Sequence, residues 1–167
     1  NQLYNSILDE LLIAEAEAEM EIFEKGSDEA KSNMPLSNCT SNVIENATIE
    51  GNGENYIVTI ILKEQVNPTK ADTDGLNVIA TDIMYVSDIE DVVANEEVLD
   101  CVFENFDNTE LKYKEYTIKA EITKDGKFVN ITHTCEMDMH LESEANVGNT
   151  VGTGIITFDT EYTNFVY

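Results

Sequence analysis

From Tyr116 to Leu141 the chain alternates, and that alternation constrains the fold more than any other feature. Tyr116, Ile118, Ala120 and Ile122 are separated by Thr117, Lys119, Glu121 and Thr123. Val129, Ile131, His133, Cys135, Met137, Met139 and Leu141 are separated by Asn130, Thr132, Thr134, Glu136, Asp138 and His140. A period of two sends the sets to opposite faces of extended strands, and Asp125-Gly126 between the runs supplies a tight turn. The spacing predicts two long antiparallel strands with one dry face. After a glycine-rich loop (Gly148, Gly152, Gly154), Ile156, Phe158 and Tyr162 supply the inward side of a last strand.

Upstream the period changes. Leu3, Ile7, Leu11, Ala14, Ala18 and Ile22 recur at helical spacing, which predicts an opening helix over about 2–25 that stops at Gly26. The small, polar residues 27–41 read as a linker within the domain. Stretches 47–49 and 56–62 are β-rich and flank Gly51-Asn52-Gly53, a hairpin; because both faces of 56–62 are apolar, that strand belongs inside the sheet. Asn67-Pro68 through Gly75 read as a loop, and Val78 to Val86 as either a strand or the lead-in to a helix, its β-branched content favouring the strand. Ser87 followed by Glu90 makes a capping box. Ile89, Val92, Val93, Leu99, Val102, Phe103 and Phe106 then trace a second amphipathic helix over about 88–106. This order predicts one α+β domain over 1–167: a curved antiparallel sheet of five to six strands, with C-terminal strands over 113–167 and two helices packed on one face.

Charge narrows the partners. Thirty-four Asp plus Glu against nine lysines, with no arginine, leave a formal charge of −25. Such a chain repels phosphate backbones and anionic lipid headgroups, so nucleic acid is not an expected partner. Without arginine there is no bidentate carboxylate or phosphate clamp. The 42% hydrophobic content is nevertheless that of a folding chain. No lysine occurs from Asp72 to Glu110 or after Lys127, so compensating charge there comes from solvent ions, bound cations or a basic partner. Three cysteines, Cys39, Cys101 and Cys135, allow at most one disulfide within a monomer and match no CxxC or zinc spacing. No run reaches the roughly 18 apolar residues of a membrane span. The lack of Arg and Trp beside abundant Asn, Ile, Glu and Tyr resembles a low-GC bacterial coding bias. Asn in place of Met at position 1 points to a removed leader or a longer chain, hence to an extracytoplasmic location, secreted or attached to the cell surface.

The run from Asp125 to Met139 and the ending IleThrPheAspThrGluTyrThrAsnPhe at 156–165 resemble the closing strands of bacterial exported lipoproteins with lipoprotein-carrier-like half-barrels. The resemblance covers about the last third of the chain. In such proteins the concave sheet holds acyl chains, which implies an apolar ligand here.

Candidate chemistry is sparse. His133, Cys135, Met137 and Met139 share a face and form a soft-ligand set suited to Cu(I), but Val129, Ile131 and Leu141 lie on that face too, which favours core filling. Glu136 and Asp138 share the outer face of one strand, and Asp159 and Glu161 one face of the last; if those strands are neighbours, the four carboxylates could converge to hold Ca²⁺ or serve as a glycosidase-type pair. No Trp offers a sugar platform. Asp72-Thr73-Asp74-Gly75 lacks the third alternating acid and closing Glu of a calcium loop and reads as a turn. The glycines at 148, 152 and 154 are followed by neither Lys nor a helix start, so they read as a hairpin loop rather than a phosphate cradle. No Gly-x-Ser-x-Gly appears, and the two histidines fall on opposite faces of one strand. No catalytic residue and no cofactor is assigned. The acidic outer side of the second helix reads as a solvated face. The expectation is a non-catalytic exported or cell-surface domain that binds a partner protein or an apolar small molecule. The alternatives are a carboxylate-dependent hydrolase or a calcium-dependent surface module built on Glu136, Asp138, Asp159 and Glu161.

Overall fold

The computed structural model describes residues 22–25, 27, 40–80, 83–95, 108–143 and 150–167. Outside them lie most of the expected opening helix and linker, the second helix beyond Asn95, Cys39, Cys101 and Gly148; residues 22–25 are not helical. The architecture is the expected α+β one: an open, curved antiparallel sheet of six strands with two short helices on one face. Strands β1 (Ile44–Gly51), β2 (Asn55–Leu62), β4 (Glu110–Thr123), β5 (Phe128–Ser143) and β6 (Thr150–Tyr162) lie side by side in that order, and β3 (Gln65–Val66) pairs with the start of β4. Helices α1 (Leu76–Ile79) and α2 (Val86–Asn95) fall between β3 and β4. Among the described residues no helix is long and apolar enough to cross a membrane.

Both expected hairpins form. Asn52 accepts the Asn55 amide through its side-chain oxygen at 2.8 Å and closes the β1–β2 turn, where Gly53 has φ 97°. Gly126, at φ 83°, closes the β4–β5 turn. The register builds rows across the sheet: Ile49, Val58, Ala120, Ile131 and Tyr162 face one another in sequence, and so do Ala47, Ile60, Ile118, His133 and Thr160. These rows make the inner face. The outer face carries Lys112, Lys114 and Lys119 on β4, with Lys112 opposite Asp138 and Lys114 opposite Glu136 on β5.

Glu115, at φ 46°, marks a bulge in β4 where the register shifts between Lys114 and Thr117. The extra residue changes the phase. Leu111 and Tyr113 before it share the inner face with Tyr116, Ile118 and Ala120 after it, and all but Ile118 are buried. A second irregularity near Ile122 puts Phe128, rather than Val129, opposite Ile122; Val129 is exposed and does not join the dry face that alternation assigned it to.

Two expectations are corrected. The described residues of Val78–Val86 form no strand, and the helical alternative fits better: Leu76 and Ile79 are spaced one helical turn apart in α1 and enter the core, and α2 already begins at Val86. At Met84 the backbone is satisfied by a side chain instead of a ladder. The Met84 amide donates to the Tyr113 hydroxyl at 2.7 Å, and that hydroxyl donates to the Met84 carbonyl at 2.8 Å. Gly152 and Gly154 are not loop residues but inward positions of β6 opposite Leu141 and Met139, and a Cβ on Gly154 would press on Met139 Cε at 3.3 Å. The start of α2 also differs in detail. It is Asp88, not Glu90, that reaches back, accepting the Tyr85 amide at 3.0 Å and pairing with Lys70 at 2.5 Å.

Candidate functional site at the open end of the inner face

Among the described residues, α1 and α2 cover one end of the inner face. There Leu62, Leu76, Ile79, Ala80, Ile89, Leu111, Tyr113, Met137, Met139 and Leu141 form one buried cluster that Tyr116 and Cys135 complete. Burial raises the Tyr113 hydroxyl well above its ordinary value, so it stays protonated and keeps its donor role toward Met84. Toward the β1–β2 and β4–β5 turns the face remains apolar, but its rim is open: Ile49 is 67% exposed, Tyr56 42% and Phe128 39%. Val58, Ala120, Ile122 and Ile131 make the floor between them, with Ala120 and Ile131 buried. The C-terminal residues fold back beside this end. The Phe165 ring lies 5.7 Å from that of Phe128, and the Tyr167 hydroxyl donates to the Phe128 carbonyl at 2.9 Å.

Between the covered and open ends sits a polar belt. The Tyr116 hydroxyl is 2.9 Å from His133 Nδ1, and the rings of Tyr116 and Tyr162 meet the imidazole edge-on at 5.7 and 5.5 Å. Strands β4, β5 and β6 each contribute one of these residues.

The soft-ligand set falls where strand alternation placed it, on the inner face, but Cys135, Met137 and Met139 are core residues. Cys135 is a free thiol that faces the Lys114 carbonyl at 3.5 Å, and burial pushes it up to about 11, which keeps it protonated and a poor nucleophile at neutral pH. The carboxylates lie on the outer face. Strands β5 and β6 are neighbours, yet Glu136 faces Thr157, Asp138 faces Ile155, Asp159 faces Thr134 and Glu161 faces Thr132. Asp138 and Glu161 are thus six register positions apart, roughly 20 Å. Only Glu136 and Asp159 are diagonal neighbours, about 7 Å apart at the backbone. Lys114 binds both Glu136, at 3.6 Å, and Asp138. Among the described residues no group of three or more His, Cys, Asp or Glu is arranged to hold a metal ion.

Asp72 and Asp74 serve the turn reading. Asp72 accepts the Thr69 amide and hydroxyl at 2.8 and 2.9 Å; Asp74 accepts the Thr40 hydroxyl at 2.5 Å, the Thr40 amide at 3.0 Å and the Gly75 amide at 2.9 Å. The Thr40 hydrogen bonds hold the Asp74 carboxyl below its ordinary range.

Sequence reasoning missed Tyr116, Tyr162 and the rim residues as a site. The alternation shows that they face inward; their meeting depends on β4 and β6 both flanking β5, which no local pattern encodes. Comparison with protein families, with curated proteins and with solved structures finds no match for the chain.

Proposed function

We propose that this chain is a non-catalytic exported or cell-surface domain that holds an apolar molecule, or the apolar side chains of a partner, against the open end of its inner sheet face. The observation that carries this reading is the unequal covering of one continuous apolar face. Its α1–α2 end is buried, whereas Ile49 on the same face stands largely in water and Tyr56 and Phe128 are partly exposed. The exposed part of this apolar rim gains free energy when a ligand displaces water from it, at roughly 25 cal/mol per Å² covered. The Tyr116–His133–Tyr162 belt marks the inner limit of this open end. Export accords with the resemblance of the closing strands to exported lipoproteins, and an acyl chain is the apolar ligand that resemblance implies.

Titration with a fluorescent long-chain acyl probe checks the reading. The wild-type protein should bind it, and the Ile49→Glu, Tyr56→Glu double variant should bind at least about tenfold more weakly with an unchanged melting temperature, because both positions are exposed. Equal binding by the two proteins, or none by either, contradicts it.

A further inference from the structure

The two edges of the sheet are built differently. Edge strand β1 carries a register irregularity between Ile44 and Asn46 and places Glu45 and Glu50 along its eight residues. Bulges and charges are the usual means by which an edge avoids pairing with another chain. Edge strand β6 has neither over most of its length. Its 13 residues pair with β5 without a shift from Ser143↔Thr150 to Ile131↔Tyr162, contain no proline, and bear no charge before Asp159. Among the described residues β6 pairs with β5 alone.

The outer face adds a charge pattern that runs across the strands. Basic β4 lies beside acidic β5, where Lys114 bridges Glu136 and Asp138. Acidic β6 comes next, but Asp159 and Glu161 face Thr134 and Thr132, and neither makes an ion pair with a described residue. Farther along the same face, Val151 and Ile155 are 55% and 69% exposed. The next strand in this pattern would bring cations to Asp159 and Glu161 and apolar side chains to Val151 and Ile155.

We infer that β6 is a docking edge that adds an extended segment of a basic partner protein as a seventh strand. Backbone hydrogen bonds would hold the segment, with Asp159 and Glu161 selecting its lysines or arginines and Val151 and Ile155 its apolar residues. A second copy of this chain fits poorly, because each copy carries a formal charge of −25 and like charge opposes association. This edge is separate from the inner face, so its test does not depend on acyl binding.

The probe is a synthetic extended peptide of alternating threonine and valine, with lysines at the two positions facing Asp159 and Glu161. A control peptide carries glutamates there. The lysine peptide should bind with an affinity that falls as salt rises, slow amide hydrogen exchange in Thr150–Tyr162 and leave Ile44–Gly51 unchanged. The glutamate peptide, and the Asp159→Lys, Glu161→Lys double variant given the lysine peptide, should each bind about tenfold more weakly. The inference is overturned if the lysine peptide fails to bind at millimolar concentration, if both peptides bind alike, or if protection falls on β1. It is also overturned if β6 becomes protected as protein concentration rises with no peptide present, which would mark self-association.

Discussion

On the inner face the row Tyr113–Met137–Ile156 lies beneath the helices, and Tyr113 and Met137 are almost fully buried. Six residues farther along the same strands the row Ile49–Val58–Ala120–Ile131–Tyr162 has much the same apolar character, yet Ile49 at its end stands in water. Strand alternation produces both rows. Tyr113 and Met137 lie under α1 and α2, whereas the second row is buried in its middle, at Ala120 and Ile131, and exposed at its Ile49 end, so one apolar sheet face can run from core to surface along its length.

Substitutions at the two ends should differ in their effect on stability. The largest effect belongs to Met137→Ala at the covered end, where a fully buried side chain leaves a cavity; chemical denaturation should show a loss of about 2–5 kcal/mol. Gly75→Ala comes next. Gly75 has φ 79°, and an added Cβ would meet the Gln65 side-chain amide at 2.6 Å, the same amide whose oxygen accepts the Leu76 amide at 3.1 Å. Strain and a displaced α1 should together cost roughly 1–3 kcal/mol by the same denaturation measurement. Tyr113→Phe leaves the packing but orphans Met84, with an expected loss of about 1–2 kcal/mol and faster hydrogen exchange at the Met84 amide. At the open end, Ile49→Ser should change stability by less than about 0.5 kcal/mol, since the side chain is mostly in water already. A loss at Ile49 as large as that at Met137 would erase the distinction between the two ends.

The smallest effect concerns Asp74, which ties Thr40 to the start of α1. Its folded pKa lies below the unfolded value of about 4. Its stabilisation is therefore complete above the unfolded value and disappears as pH falls through the folded one. Asp74→Asn should remove that part of the acid dependence in melting curves recorded between neutral and acidic pH, and leave the basic limb unchanged.

Some of this was legible from residues alone. Ile131, Cys135, Met137, Met139 and Leu141 alternate with polar partners, and all five are buried, because period two survives folding wherever the ladder is regular. Regularity fails at Glu115, and so the alternation starting at Tyr116 gave no hint that Leu111 and Tyr113 continue the same face. Val78–Val86 misled for a different reason: β-branched content reports fitness for a pleated surface, whereas α1 formed because Leu76 and Ile79 could reach the core. The candidate site was hidden more deeply. That Ile49, Val58, Ala120 and Ile131 share a row follows from register across four strands, and that α1 and α2 pack over the other end of the face follows from tertiary packing that no local pattern encodes.

Chemical-shift mapping with the acyl probe on isotope-labelled protein tests the open face most directly. The account predicts shifts concentrated at Ile49, Tyr56, Val58, Ala120, Phe128 and Ile131, and extending to His133. Shifts confined to the outer face around Lys114 and Glu136, or to α1 and α2, would contradict it.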